Sequence, residues 1–70
     1  NAGAFTHYSY AIADAIAAVK IPTIEIHISD INKREDFRKK SVLKDVCSKS
    51  FIGLGKHSYL EGVKYLNKNF

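Results

Sequence analysis

Seventy residues carry a formal net charge of +4 and a pI near 9.3, with one cysteine, Cys47, and no methionine. One domain at most fits this length, and folding it buries only roughly 60% of the surface of the unfolded chain, so a lone core is marginal. A disulfide framework is excluded, no Cys/His spacing closes a tetrahedral metal site, and no apolar run reaches the ~18 residues that span a bilayer.

Tyr8, Ile12, Ala15, Ile16 and Val19 recur at offsets of four, seven, eight and eleven, which predicts an amphipathic helix over residues 8–20. Thr6 or Ser9 is placed to cap it, the alanines favour it, and Pro22 ends it. The pattern then changes to alternation. Ile24, Ile26 and Ile28 fall on one side of a predicted strand, with Glu25, His27 and Ser29 on the other. Residues 30–41 are dense in charge and read as a loop with a short helical turn. Ser50-Phe51-Ile52 forms a second β-like run closed by Gly53 and Gly55, and Tyr59, Val63, Leu66 and Phe70 mark a closing helix.

Helix, strand, crossover, strand and helix is the rhythm of an α/β layer with a parallel sheet. Two strands are too few for an independent sheet. The Asn1-Ala2-Gly3 turn reads as the end of a strand lying upstream, so the chain is expected to be a piece of a longer protein.

Glu25 and His27 leave the same face of the strand about 7 Å apart, where the carboxylate can orient the imidazole and favour its protonated form. A histidine so held is a positioned general acid. The plain alternative is an edge strand with this face in water. Asn1, Gly3, Thr6 and His7 cluster where a strand gives way to a helix, the end at which open α/β sheets bind ligands; taken in isolation, an ordinary turn with a surface histidine is the better reading. Arg34 and Arg38, four apart, share a helical face suited to a carboxylate or hydroxyl, or form a solvated cluster.

The basic stretch Lys33 to Lys40 raises nucleic acid as a binding partner. Asp30, Glu35 and Asp36 interrupt it, however, and no aromatic residues alternate with the basic ones to make a stacking platform. Gly53-Leu54-Gly55 lacks the third glycine and Lys-Ser/Thr pair of a phosphate loop and reads as a tight turn. Cys47 reads as structural, and Asp14 as solvated or facing a neighbouring subunit.

Four segments in order, Asn1-Ala2-Gly3-Ala4-Phe5-Thr6-His7, Ala13-Asp14-Ala15, Ile24-Glu25-Ile26-His27-Ile28-Ser29 and Arg34-Glu35-Asp36-Phe37-Arg38, resemble the successive motifs of type II dehydroquinases. The likeness continues through Ser41 and Phe51-Ile52-Gly53-Leu54-Gly55. Ala2 departs from it, standing where the family usually has proline.

The resemblance implies the C-terminal half of a flavodoxin-like α/β subunit over residues 1–70, a cytoplasmic homo-oligomer built of trimers into a dodecamer, and no metal or organic cofactor. It implies a hydro-lyase of the shikimate pathway that removes water from 3-dehydroquinate by anti elimination through an enolate, giving 3-dehydroshikimate. His27 would be the acid and Glu25 its orienting partner. Asn1 would support the same end of the substrate, Ile28 and Ser29 would hold the substrate carboxylate, and His7 and Arg38 its ring hydroxyls. Asp14 would reach an adjacent subunit's site. The family's proton-abstracting tyrosine and its arginine have no counterpart here, and Tyr8, Tyr10, Tyr59 and Tyr65 are expected on helices rather than in that role. Alternatives are a basic nucleic-acid-binding module or an inactive assembly fragment.

Overall fold

The computed structural model describes residues 1–33 and 35–70; Arg34, and the side chains of Asn32, Phe37 and Arg38, lie outside the described residues. A 3-10 turn, Gly3–His7, leads into α1, Tyr10–Val19. Strand β1, Ile24–His27, is followed by a 3-10 turn at Ile31–Lys33 and the short helix α2, Asp36–Lys39. Strand β2, Lys49–Ile52, and helix α3, His57–Asn69, complete the order. β1 and β2 pair in parallel, with Glu25 opposite Ser50 and His27 opposite Ile52. The parallel α/β class expected from the element rhythm is the one observed.

Several boundaries and faces differ from the sequence expectation. α1 begins at Tyr10 because Ser9 caps it, its Oγ accepting from the Ile12 N–H at 3.3 Å. Tyr8 therefore sits in the turn before the helix. The far end closes before Pro22, where Lys20 takes a left-handed conformation at φ 56°. β1 ends at His27, so Ile28 and Ser29 lie beyond it, and both are exposed.

The two faces of the sheet are covered by different kinds of structure. α3 lies on the Ile24/Ile26 side and approaches so closely that a Cβ on Gly62 would sit 2.5 Å from Ile24 Cδ1. Its buried positions are accordingly small, Ser58 and Gly62, while Val63 and Phe70 of the expected stripe are 64% and 67% exposed. The Glu25/His27 side is covered by Thr6 and by Ser41, which belong to segments remote in sequence. The core itself is small: Ala13, Ile26, Ile31 and Leu43 are its buried apolar members among the described residues.

The turn between β2 and α3 latches onto the end of β1. Gly53 N–H donates to the His27 carbonyl at 3.1 Å, and Gly55 N–H to that of Ile28 at 2.9 Å. Both glycines have positive φ, 78° and 58°, which a side chain would resist. A Cβ at Gly53 would also meet Asp30 at 3.0 Å.

Candidate active site

Alternation in β1 puts Glu25 and His27 on one face, and the structure buries both, at 2% and 5% exposure. The alternative in which this face lies in water is thereby ruled out. His27 Nε2 lies 2.7 Å from Glu25 Oε2. Three hydroxyls converge on the same carboxylate. Thr6 donates to Oε2, Ser41 reaches both oxygens at 2.9 and 2.8 Å, and Ser50, its neighbour across the strand pair, donates to Oε1 at 3.2 Å.

Burial by itself pushes the Glu25 carboxyl up, because a low-dielectric site disfavours its charge. Hydrogen bonds from Thr6, His27 and Ser41, with the attraction of the imidazole, outweigh that and hold it below its ordinary value. Glu25 is therefore an ionised acceptor at neutral pH, and the His27 Nε2 facing it donates. The His27 carbonyl is tied down in turn by Ser58 Oγ at 3.2 Å. Ring and backbone of His27 are thus both fixed.

The segment 1–7 is fastened at several points. Asn1 donates from Nδ2 to Tyr59 Oη at 3.0 Å and accepts from the Gly3 N–H at 3.0 Å. Thr6 holds Glu25, and its carbonyl accepts from Val42 N–H at 2.8 Å. The His7 ring, next in sequence, donates from Nδ1 to the Lys40 carbonyl at 2.7 Å. Residues 40–43 and 1–7 therefore meet beside β1, with His7 bound to the Lys40 carbonyl next to the Thr6 that holds Glu25.

Ile28 and Ser29 follow His27 directly at the carboxyl end of β1. Asp14 lies exposed on α1. Arg38 has its backbone in α2, but its side chain, like all of Arg34, lies outside the described residues. A cavity of about 140 Å³ lined by Lys39, Lys44, Ser41, Ser50, Ile31 and Ile52 opens beside Glu25.

Sequence reading found the Glu25/His27 pair but not the hydroxyls around it. Ser50 carried a usable signal, since its position in a parallel partner strand puts it opposite Glu25. Thr6 falls in the opening-turn cluster and Ser41 in the family resemblance, but neither has a spacing that ties it to Glu25. Cys47 behaves as a structural thiol. Burial, and then the negative charge of Glu25, push its pKa up, with the N-terminal amine opposing.

Residues 1–67 match the family model for dehydroquinase class II. The chain belongs to that family. It is 53% identical over 68 residues to a 3-dehydroquinate dehydratase of Thermotoga maritima, covering 97% of this chain and 47% of that protein. A 3-dehydroquinate dehydratase of Lachnoclostridium phytofermentans is 57% identical over 60 residues, covering 86% and 41%. The structure superimposes on type II dehydroquinase from Butyrivibrio crossotus with a TM-score of 0.90 at 50% identity, over 93% of this chain and 46% of that one. With the enzyme from Propionibacterium acnes the TM-score is 0.92 at 39% identity, over 99% and 51%. The chain thus spans about half the length of these relatives. Among the described residues no helix is long and apolar enough to cross a membrane.

Proposed function

We propose that this chain is the acid-bearing C-terminal half of a type II 3-dehydroquinate dehydratase, a hydro-lyase that converts 3-dehydroquinate to 3-dehydroshikimate. The observation that carries the reading is the buried Glu25/His27 pair, joined at 2.7 Å and placed at the end of a parallel strand. Its membership of the dehydroquinase family supplies the substrate class.

In the proposed anti elimination a base outside this sequence takes a proton from the carbon beside the ketone, giving an enolate. His27 protonates the hydroxyl on the next carbon, and the C–O bond breaks with its electron pair leaving on oxygen as water. Glu25 holds the imidazole in line throughout. The N–H groups of Ile28 and Ser29, with the Ser29 hydroxyl, receive the substrate carboxylate, a task suited to consecutive donors in a turn. Asn1 supports the same end of the substrate. His7 and Arg38 take the ring hydroxyls, and Asp14 reaches the site of a neighbouring subunit in a trimer-based dodecamer. The reading places the assembly in the cytoplasm and assigns it no metal or organic cofactor.

The test is turnover once the base-bearing half of the fold is supplied. The assembled protein is expected to convert 3-dehydroquinate to a conjugated enone followed by its near-ultraviolet absorbance, whereas the 70-residue chain alone is expected to be inactive. His27→Ala should lower kcat by about 10²- to 10⁴-fold, the usual contribution of a positioned general acid. Unchanged turnover in that variant would remove His27 from the acid role.

A further inference from the structure

Four hydrogen-bond donors meet on the Glu25 carboxylate: the hydroxyls of Thr6, Ser41 and Ser50, and His27 Nε2. A carboxylate offers about four acceptor positions, so the set is close to saturated. We infer that Thr6, Ser41 and Ser50 are positioning residues whose hydroxyls keep Glu25 an acceptor, fixing a proton on His27 Nε2 and leaving Nδ1 as the nitrogen that passes its proton to the departing hydroxyl.

Without these hydroxyls Glu25 would behave differently. A carboxyl at 2% exposure is driven toward its neutral form by desolvation, and a neutral acid donates. A donating Glu25 would face an imidazole nitrogen that must then accept, so neutral His27 would carry its proton on Nδ1 instead. The two arrangements differ in which end of the ring can act as base or acid. Three hydroxyl donors weigh against the second: Ser41 spans both carboxylate oxygens, and Thr6 and Ser50 each take one. Ser41 is itself aimed by the Leu43 N–H, which donates to its Oγ at 3.2 Å and leaves the hydroxyl proton for Glu25. Thr6 is aimed by the backbone bond from Val42 to its own carbonyl. The clamp is thus built from three parts of the chain, residues 1–7, the segment at 41–43, and β2.

Its use of His27 in catalysis rests on the dehydratase reading, and the proton then moves as follows. Starting from the doubly protonated ring, Nδ1–H protonates the leaving oxygen, the C–O electron pair departs with it as water, and the ring is left neutral with its remaining proton on Nε2. No rearrangement at Glu25 is needed during the step, which is the advantage of a preorganised partner.

The test reads the imidazole directly. Long-range proton–nitrogen NMR on the ¹⁵N-labelled chain assembled with the unlabelled base-bearing half, at alkaline pH, should show His27 in the Nε2–H form by about tenfold or more over the alternative. His7, which donates from Nδ1 to the Lys40 carbonyl, gives the opposite tautomer as a reference in the same spectrum. Ser41→Ala and Thr6→Val should each move His27 toward a mixture, and Ser41→Thr, which retains a hydroxyl, should restore the parent ratio. If either truncation unfolds the chain, the His7 reference signal reveals it. Ser50→Ala, which removes only the 3.2 Å donor to Oε1, then becomes the variant to read, with a smaller shift expected. A parent spectrum dominated by Nδ1–H, or an unshifted ratio in the folded truncations, would overturn the clamp. Failure of the dehydratase reading looks different: an intact Nε2–H signal with no enone from the assembled protein.

Discussion

Glu25 is a residue whose ionisation is coupled to folding. Its folded-state pKa is held below the ordinary value of 4.5, so the unfolded chain binds its proton more readily than the folded one. The stabilisation is therefore fully present above about pH 4.5 and lost as the pH falls through the lower folded value. Chemical denaturation between pH 7 and pH 3 should show stability declining on the acid side. Glu25→Gln should be less stable at pH 7 by about 1–3 kcal/mol, since its amide NH₂ would meet donors already in place. The gap between the two proteins should narrow toward pH 3. A parallel decline in both would mean that other carboxyls set the acid limb.

At the scale of elements, what was legible in the sequence was local and what was missed was remote. Period-two spacing put Glu25 and His27 on one face, and Pro22 and the Gly53/Gly55 pair marked real boundaries. The burial of that face was not legible, because its cover comes from Thr6 and Ser41, with no periodic relation to β1. The face of α3 was misjudged for a related reason. Apolar periodicity selects Tyr59, Val63, Leu66 and Phe70, yet the side that meets the sheet is chosen by clearance, and the small Ser58 and Gly62 are what it buries, Gly62 against Ile24 and Ile26. Two opposed effects meet there. Alanine at position 62 would favour the helix by about 0.8–1 kcal/mol, while its methyl would strike Ile24 Cδ1 at 2.5 Å, and overpacking costs about 1–3 kcal/mol. Gly62→Ala is expected to lower stability by about 1 kcal/mol, because Ile26 Cδ1 at 3.0 Å narrows the escape of Ile24. Adding Ile24→Val removes the struck atom and should recover most of the loss. A double-mutant cycle measured by denaturant melts checks this coupling, and additive effects would argue against the close approach.

At the scale of the whole molecule, the imbalance between what is buried and what is exposed is the main fact. Tyr10, Val19 and Ile21 are 61%, 58% and 65% exposed, and α1 buries only Ala13. Between α1 and β1 lies a cavity of about 220 Å³ lined by Ile12, Ile16, Thr23, Ile24, Leu43 and Cys47. Among the described residues β1 is paired on one edge only, to β2. An open edge beside an apolar cavity under a helix is the shape that one more parallel strand fills, and two strands alone are too few to hold a sheet. Under the proposed function that strand belongs to the base-bearing half of the fold. Amide hydrogen exchange separates this from a self-sufficient chain. Alone, the amides of α1 should exchange at least about tenfold faster than when the other half is present, since they open by local unfolding with little apolar burial to resist it. Helix α3, packed on Ile24 and Ile26 through Gly62, should change less. Equal protection of α1 with and without the second half would show that the cavity is no docking site for a strand, and that the 70 residues hold their structure by themselves.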